Sequence, residues 1–107
     1  MENVTAREGR TIATIAYLTF IGTIIAFLMN REKRNSFALF HIRQMFGLII
    51  LLFISNTIYS FNQWLGEALW VISFAFWAIG LYGAITMKEL KVPFLGGKFQ
   101  EWFRFID

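Results

Sequence analysis

Three long stretches without charge constrain the fold of this chain more than any other feature. Residues 11–29, 45–66 and 68–87 contain no Asp, Glu, Lys or Arg. A transmembrane helix needs about 20 predominantly apolar residues, and each stretch is long enough. Only 16% of all residues are charged, against about 25% in ordinary globular chains. The sequence therefore predicts an all-α membrane protein with three transmembrane helices and a C-terminal interfacial amphipathic helix.

The boundaries follow from the charges between the stretches. We expect one integral membrane domain over residues 1–107, with transmembrane helices at about 11–29, 37–64 and 68–87. A basic loop at 30–36 separates the first two, and an amphipathic helix at 97–106 closes the chain. The short connection around Glu67 predicts that the second and third helices form a tight antiparallel hairpin. A cleaved signal peptide is disfavoured because the first apolar stretch is too long and no cleavage pattern follows it.

Lysine and arginine are distributed unequally between the two sides that three spans would create. Arg7 and Arg10 precede the first span, whereas the other eight fall on the opposite side. Loops rich in Lys and Arg remain in the cytoplasm. This two-to-eight split predicts a multi-pass protein of the bacterial inner membrane, with its amino terminus outside and its carboxyl terminus in the cytoplasm.

Composition also excludes several kinds of site. The chain has no cysteine and one histidine, so thiolate chemistry and a multi-histidine metal site are ruled out. No carboxylate lies within helical reach of His41, and no serine lies in a nucleophile motif. We expect no catalytic residue, no metal, no cofactor, no nucleic-acid partner and no small-molecule substrate.

Small and polar residues indicate how the helices pack. Gly22 and Ala26 in the first span, and Gly80 and Ala84 in the third, are each four residues apart, a spacing that lets helix backbones approach closely. The second span is the polar one. Its candidate contacts with helices or partners are His41, Gln44, Asn56, Tyr59, Ser60 and Gln63. Such groups are costly to expose to lipid, so interhelical hydrogen bonding is favoured, while docking to a partner protein or lining a conduit remain open.

The tail predicts a second kind of membrane contact. Pro93, Gly96 and Gly97 interrupt the helix, and an apolar arc follows, suited to lying in the membrane interface. Its members are Phe99, Trp102, Phe103 and Ile106. Packing into a partner's groove is the alternative. Candidate contacts with anionic lipid are Arg31, Lys33, Arg34, Arg43, Lys98 and Arg104.

Three segments resemble a known family. Residues 34–44 read RNSFALFHIRQ, residues 91–96 read KVPFLG, and residues 16–18 read AYL, with Gly22 following. This pattern is similar to a bacterial family of small membrane proteins related to the chloroplast inner-envelope import component Tic-twenty. The resemblance covers roughly residues 11–97, but this chain is shorter than the plant members and has three apolar spans where those are usually given four.

The resemblance implies a role as a subunit, because the plastid relatives belong to a protein-translocation assembly. His41 and Gln44 match family positions that have no assigned role. We therefore expect a non-catalytic accessory or structural subunit of a larger inner-membrane complex, whose partners are membrane lipids and other integral membrane proteins. The resemblance indicates a protein translocation or export assembly as the candidate complex. The alternative is a homo-oligomeric channel or conduit lined by the polar face of the second span. A membrane enzyme ranks last.

Overall fold

The computed structural model describes the backbone of residues 2–106 and the side chains of residues 5–106, and every regular element in that part of the chain is a helix. The predicted all-α class is confirmed. The helices are α1 (Glu2–Leu18), α2 (Phe20–Lys33), α3 (Ser36–Phe61), α4 (Gln63–Ile85) and α5 (Gly96–Trp102). They form an elongated bundle of about 46 × 23 × 22 Å.

Two of these helices, α3 and α4, are long and apolar enough to span a membrane. Their 26 and 23 residues correspond to about 39 and 35 Å, against a hydrocarbon core of roughly 30 Å. The predicted hairpin is confirmed, and its connection is the single residue Asn62. The Asn62 side chain accepts a hydrogen bond from the backbone N–H of Leu65 and so caps α4. Glu67 consequently lies inside α4 instead of before it.

The prediction of one continuous helix over residues 11–29 is wrong. Thr19 adopts an extended conformation, with φ −157° and ψ 174°, and the chain reverses there from α1 into α2. The reversal is tight: a Cβ on Gly22 would lie 2.4 Å from the carbonyl oxygen of Ile15. Threonine side chains stabilise it. Thr19 Oγ1 accepts from the Gly22 N–H at 2.9 Å, and the Thr23 hydroxyl donates to the Ala16 carbonyl at 2.7 Å.

Both ends of this α1–α2 hairpin lie beside the beginning of α3. Asn35, which caps α3, donates from Nδ2 to the Thr5 carbonyl at 2.9 Å. Asn30, near the end of α2, exchanges two hydrogen bonds with the backbone of Asn35. We call this end of the bundle, with residues 31–35 and 88–106, the basic end, and the turn at Asn62 the far end. The first helix therefore begins at the basic end, whereas a single first span would have placed its start at the far end.

The tail folds back against the protein. The ring of Phe99 lies so close to Gly47 of α3 that a Cβ there would be 2.5 Å from it. Gln100 donates to the Phe40 carbonyl at 2.7 Å, and Arg43 Nε donates to the Ile106 carbonyl at 3.1 Å. The predicted tail helix is present but ends at Trp102, and its apolar side is directed largely toward α3.

Candidate functional site

A hydrogen-bonded network of buried polar side chains joins α1 to the first half of α3. Tyr17, His41 and Gln44 are each 0% exposed. The Tyr17 hydroxyl lies 2.6 Å from His41 Nδ1, and Gln44 Nε2 donates to the same hydroxyl at 2.9 Å. We call these residues the Tyr17–His41–Gln44 network. His41 and Gln44 lie on the same side of α3 because they are three positions apart. The α1–α2 hairpin places Tyr17 opposite both.

The acceptors of this network determine where its protons lie. His41 Nε2 is 2.9 Å from the carbonyl of Lys88, and since a carbonyl can only accept, Nε2 carries a proton. A neutral imidazole with its proton on Nε2 has a free acceptor at Nδ1, so the Tyr17 hydroxyl, which accepts from Gln44, donates its own proton there. Every hydrogen bond is thus satisfied by a neutral imidazole with its proton on Nε2.

Gln44 also holds the chain that follows α4. Its Nε2 donates to the Leu90 carbonyl at 2.9 Å, and its Oε1 accepts from the Val92 N–H at 3.0 Å. The carboxamide thereby pairs with an extended segment as a neighbouring β-strand would. Because His41 binds the Lys88 carbonyl, the network attaches residues 88–92 to the first half of α3.

Helix α4 joins the same site through the indole of Trp77 and through Gly80. Trp77 Nε1 donates to the Tyr17 carbonyl at 2.6 Å, which satisfies a group left free at the end of α1. Gly80 leaves room for the Tyr17 ring: a Cβ there would lie 2.7 Å from it. Ala84, one turn further on, is fully buried. The predicted small-residue pair of α4 therefore lies on the face that packs against α1.

Three aromatic rings surround the buried imidazole of His41. Tyr17, Phe37 and Phe40 contact His41 edge to face, with ring centroids 5.4, 4.8 and 4.9 Å away. Over residues 5–106, no cluster of three or more His, Cys, Asp or Glu side chains could hold a metal ion. Each buried polar side-chain atom there has a hydrogen-bond partner. A network with no unpaired member can stabilise and specify a packing.

The second set of predicted polar residues lies elsewhere. Asn56, Tyr59, Ser60 and Gln63 are exposed near the far end, separated from Gln44 by the apolar residues 45–54. The Ser60 hydroxyl is directed to its own helix, 3.5 Å from the Asn56 carbonyl, and Gln63 Nε2 donates to Glu67 at 3.4 Å. The structure therefore does not bring the polar residues of α3 into one continuous stripe.

The cationic and aromatic residues predicted to contact lipid are located at the basic end. Arg31, Lys33 and Arg34 are exposed around the end of α2, and Lys98 and Arg104 are exposed near α5. Arg43 is half-buried because it binds the tail. Of the four predicted anchors, Phe99 and Ile106 are buried at 4% and 8% exposure, Phe103 is half-buried, and Trp102 is 56% exposed.

The residues that sequence analysis did not select as site members are Tyr17, Trp77 and the backbone of residues 88–92. Tyr17 is 24 positions from His41, and Trp77 is 60 from Tyr17. One feature of the sequence indicates Tyr17 as a site member. It is the single tyrosine within the first apolar stretch, and a buried tyrosine hydroxyl usually has a hydrogen-bond partner.

Comparison of the chain with protein-family models, with curated proteins and with solved structures finds no match. The resemblance to the Tic-twenty-related family therefore stays a prediction from residues 16–22, 34–44 and 91–96.

Proposed function

We propose that this chain is a non-catalytic subunit of a larger complex in the bacterial inner membrane. The observation that carries the proposal is a seam on the uncovered face of α4. Its members follow steps of four and three residues and are all exposed: Trp64, Ala68, Val71, Ala75, Ala78 and Tyr82. This is the heptad spacing of helix–helix contacts, and three of the six are alanines, which allow another membrane helix to approach closely.

Burial supports a membrane location for α4. Only 28% of its most apolar 18-residue stretch is covered by the rest of the protein, whereas the core helix of a water-soluble protein is mostly covered. Large apolar surfaces exposed over a whole helix are typical of contact with lipid or with other proteins. The enclosed Tyr17–His41–Gln44 network supports the non-catalytic role, because the one imidazole of the chain is fully engaged in packing.

The α1–α2 hairpin suggests a topology different from three spans. With its ends beside Asn35 and its tip near the middle of α3, it fits a re-entrant hairpin entering from the basic side. All ten lysines and arginines would then face the cytoplasm, in place of the two-to-eight split that three spans require. Non-helical backbone at membrane depth needs internal hydrogen bonds, and the threonine contacts around Thr19 supply them.

Introduced cysteines would separate the two topologies, since the chain has none of its own. In the re-entrant arrangement, Arg7→Cys and Lys98→Cys react with a membrane-impermeant thiol reagent from the same side, and Gln63→Cys reacts from the other. With three spans, Arg7→Cys reacts together with Gln63→Cys. That second pattern would refute the re-entrant hairpin.

The subunit role is tested by crosslinking in cells followed by purification in mild detergent. We expect a stoichiometric partner protein with the native chain, and its loss with Ala75→Trp, which places a large side chain in the middle of the seam. Ile25→Trp on α2 is the matched control, because Ile25 is also exposed but lies outside the seam. Recovery of a lone monomer, or unchanged capture by the Ala75 variant, would contradict the proposal. Only the family resemblance suggests that the complex moves proteins.

The conduit alternative receives less support. A channel lined by the polar face of α3 would need polar groups along its length, and residues 45–54 are all apolar.

A further inference from the structure

Between the tip of the α1–α2 hairpin and the far end, α3 and α4 line an open groove that none of the helices within residues 2–106 fills. A cavity of about 460 Å³ occupies its deeper part, next to residues 18–20. A second cavity of about 390 Å³ continues it toward the far end, and the two share Asn56 and Trp70 as lining residues. Volumes in this range are typical of small-ligand sites.

The chemistry of the groove changes along its length. One wall is an aromatic ladder on α4, in which Trp70 stacks on Phe74 at 5.8 Å and Phe74 contacts Trp77 at 5.7 Å. Leu48 and Leu52 of α3 contribute to the opposite wall. The mouth at the far end is polar, with Tyr59 and Glu67 beside Asn56. An occupant therefore has an apolar part at the bottom and a polar part at the mouth.

We propose that this groove binds one phospholipid with an amine-bearing headgroup, of the phosphatidylethanolamine type, from the leaflet at the far end. The proposal rests on the membrane location argued above, but not on the subunit role.

The length of the groove selects a lipid over a transmembrane helix. From Glu67 at the mouth to Trp77 at the bottom is ten residues of α4, or about 15 Å, which is half of the roughly 30 Å hydrocarbon core. Residues 18–20 close it there. An acyl chain reaches from the interface to the bilayer midplane and no further, whereas a spanning helix of a partner would collide with the hairpin tip.

Charge selects the headgroup. Between Arg43 and Lys88, Glu67 is the only charged residue of the chain, so the far end is acidic and has no cation to favour an anionic lipid. A lipid amine can pair with the Glu67 carboxylate and lie over the rings of Tyr59 and Trp70, since cations are attracted to aromatic faces. Asn56 lies between the two cavities, where its carboxamide can donate to an ester oxygen of the lipid.

Native mass spectrometry of the full chain, reconstituted with equal amounts of phosphatidylethanolamine and phosphatidylglycerol, tests the site. We expect one retained phosphatidylethanolamine on the native protein. Leu52→Trp fills the groove from α3, and Ser73→Leu fills it from α4, so both variants should lose the retained lipid. Ile54→Trp is the matched control on the opposite side of α3, where Ile54 is exposed outside the cavity, and it should retain the lipid.

A separate variant tests the preference for an amine-bearing headgroup. Glu67→Gln removes the charge and keeps the shape, so it should lower the preference for phosphatidylethanolamine by about two- to fivefold, the range of a single exposed cation contact. An unchanged preference would overturn that assignment.

Two results would overturn the site itself: unchanged lipid retention in both groove-filling variants, or a native dimer that both variants dissociate, which would identify the occupant as a second copy. Partner capture through the α4 seam is tested separately with Ala75→Trp, because Ala75 lines neither cavity.

Discussion

Gln44 makes two of the three side-chain hydrogen bonds by which α3 holds residues 88–92, so replacing it should loosen that segment. In Gln44→Leu the side chain keeps a similar size but loses its hydrogen bonds with the Val92 N–H and the Leu90 carbonyl, together with its bond to the Tyr17 hydroxyl. The backbone of Val92 is buried with its side chain, at 2% exposure. An orphaned buried donor costs about 1–3 kcal/mol, and a lost bond at a group that water can reach costs about 0.5–1.5 kcal/mol.

These two losses together lower the free energy that holds the segment closed by about 1.5–4.5 kcal/mol. Local opening would become more populated by roughly 10- to 1,600-fold, since 1.4 kcal/mol corresponds to a factor of ten. Trypsin can measure this, because Lys88 and Lys91 lie in the segment and are exposed. When opening is fast relative to cleavage, the cleavage rate follows the open population.

Gln63→Leu is the matched control, because it makes the same chemical change at an exposed residue whose side-chain bond is a long one of 3.4 Å to Glu67. It should leave cleavage at Lys88 and Lys91 unchanged. Equal cleavage rates of Gln44→Leu and Gln63→Leu would show that Gln44 does not hold the segment closed.

Two further substitutions test the other contacts that shape the bundle. Gly47→Val places a side chain where the Phe99 ring lies and should detach α5, seen as faster amide exchange over residues 96–102. Gly97→Ala should leave that exchange unchanged, because a Cβ added at Gly97 would have no neighbouring atom within 4 Å. Thr23→Val removes the bond to the Ala16 carbonyl and should lower the free energy of unfolding in detergent by about 1–3 kcal/mol. Thr57→Val, at an exposed position of α3, should change the free energy of unfolding by less than about 0.5 kcal/mol. Equal effects of Thr23→Val and Thr57→Val would contradict the stabilising role of the Thr23 hydrogen bond.

Apolar stretches and short connections can be predicted from sequence because they depend on local composition. The α3–α4 hairpin and the amphipathic character of the tail followed from runs of uncharged residues and from helical spacing. His41 and Gln44 were selected because polar groups in an apolar helix need partners. Those partners were not predictable, since Tyr17 and the carbonyls of residues 88–90 are distant in the chain and only packing brings them near.

The reversal at Thr19 is where local pattern failed. Residues 11–29 are long and apolar enough for one helix, and no Pro or charge marks a break. Hydropathy counts residues and does not distinguish one span from two half-length helices of the same composition. Two half-length helices form because Gly22 permits close contact between them and because Thr19 and Thr23 supply hydrogen bonds at the turn. Asn30 and Asn35 then join the two ends of the hairpin.

By itself, then, the sequence determined that this protein is helical and rich in apolar surface, because helix period and lack of charge are local properties. The tertiary structure alone decided which polar groups pair, where the first apolar stretch turns back, and which face of α4 stays uncovered. These three features depend on contacts between residues far apart in the chain, and such contacts cannot be predicted from the local pattern of the sequence.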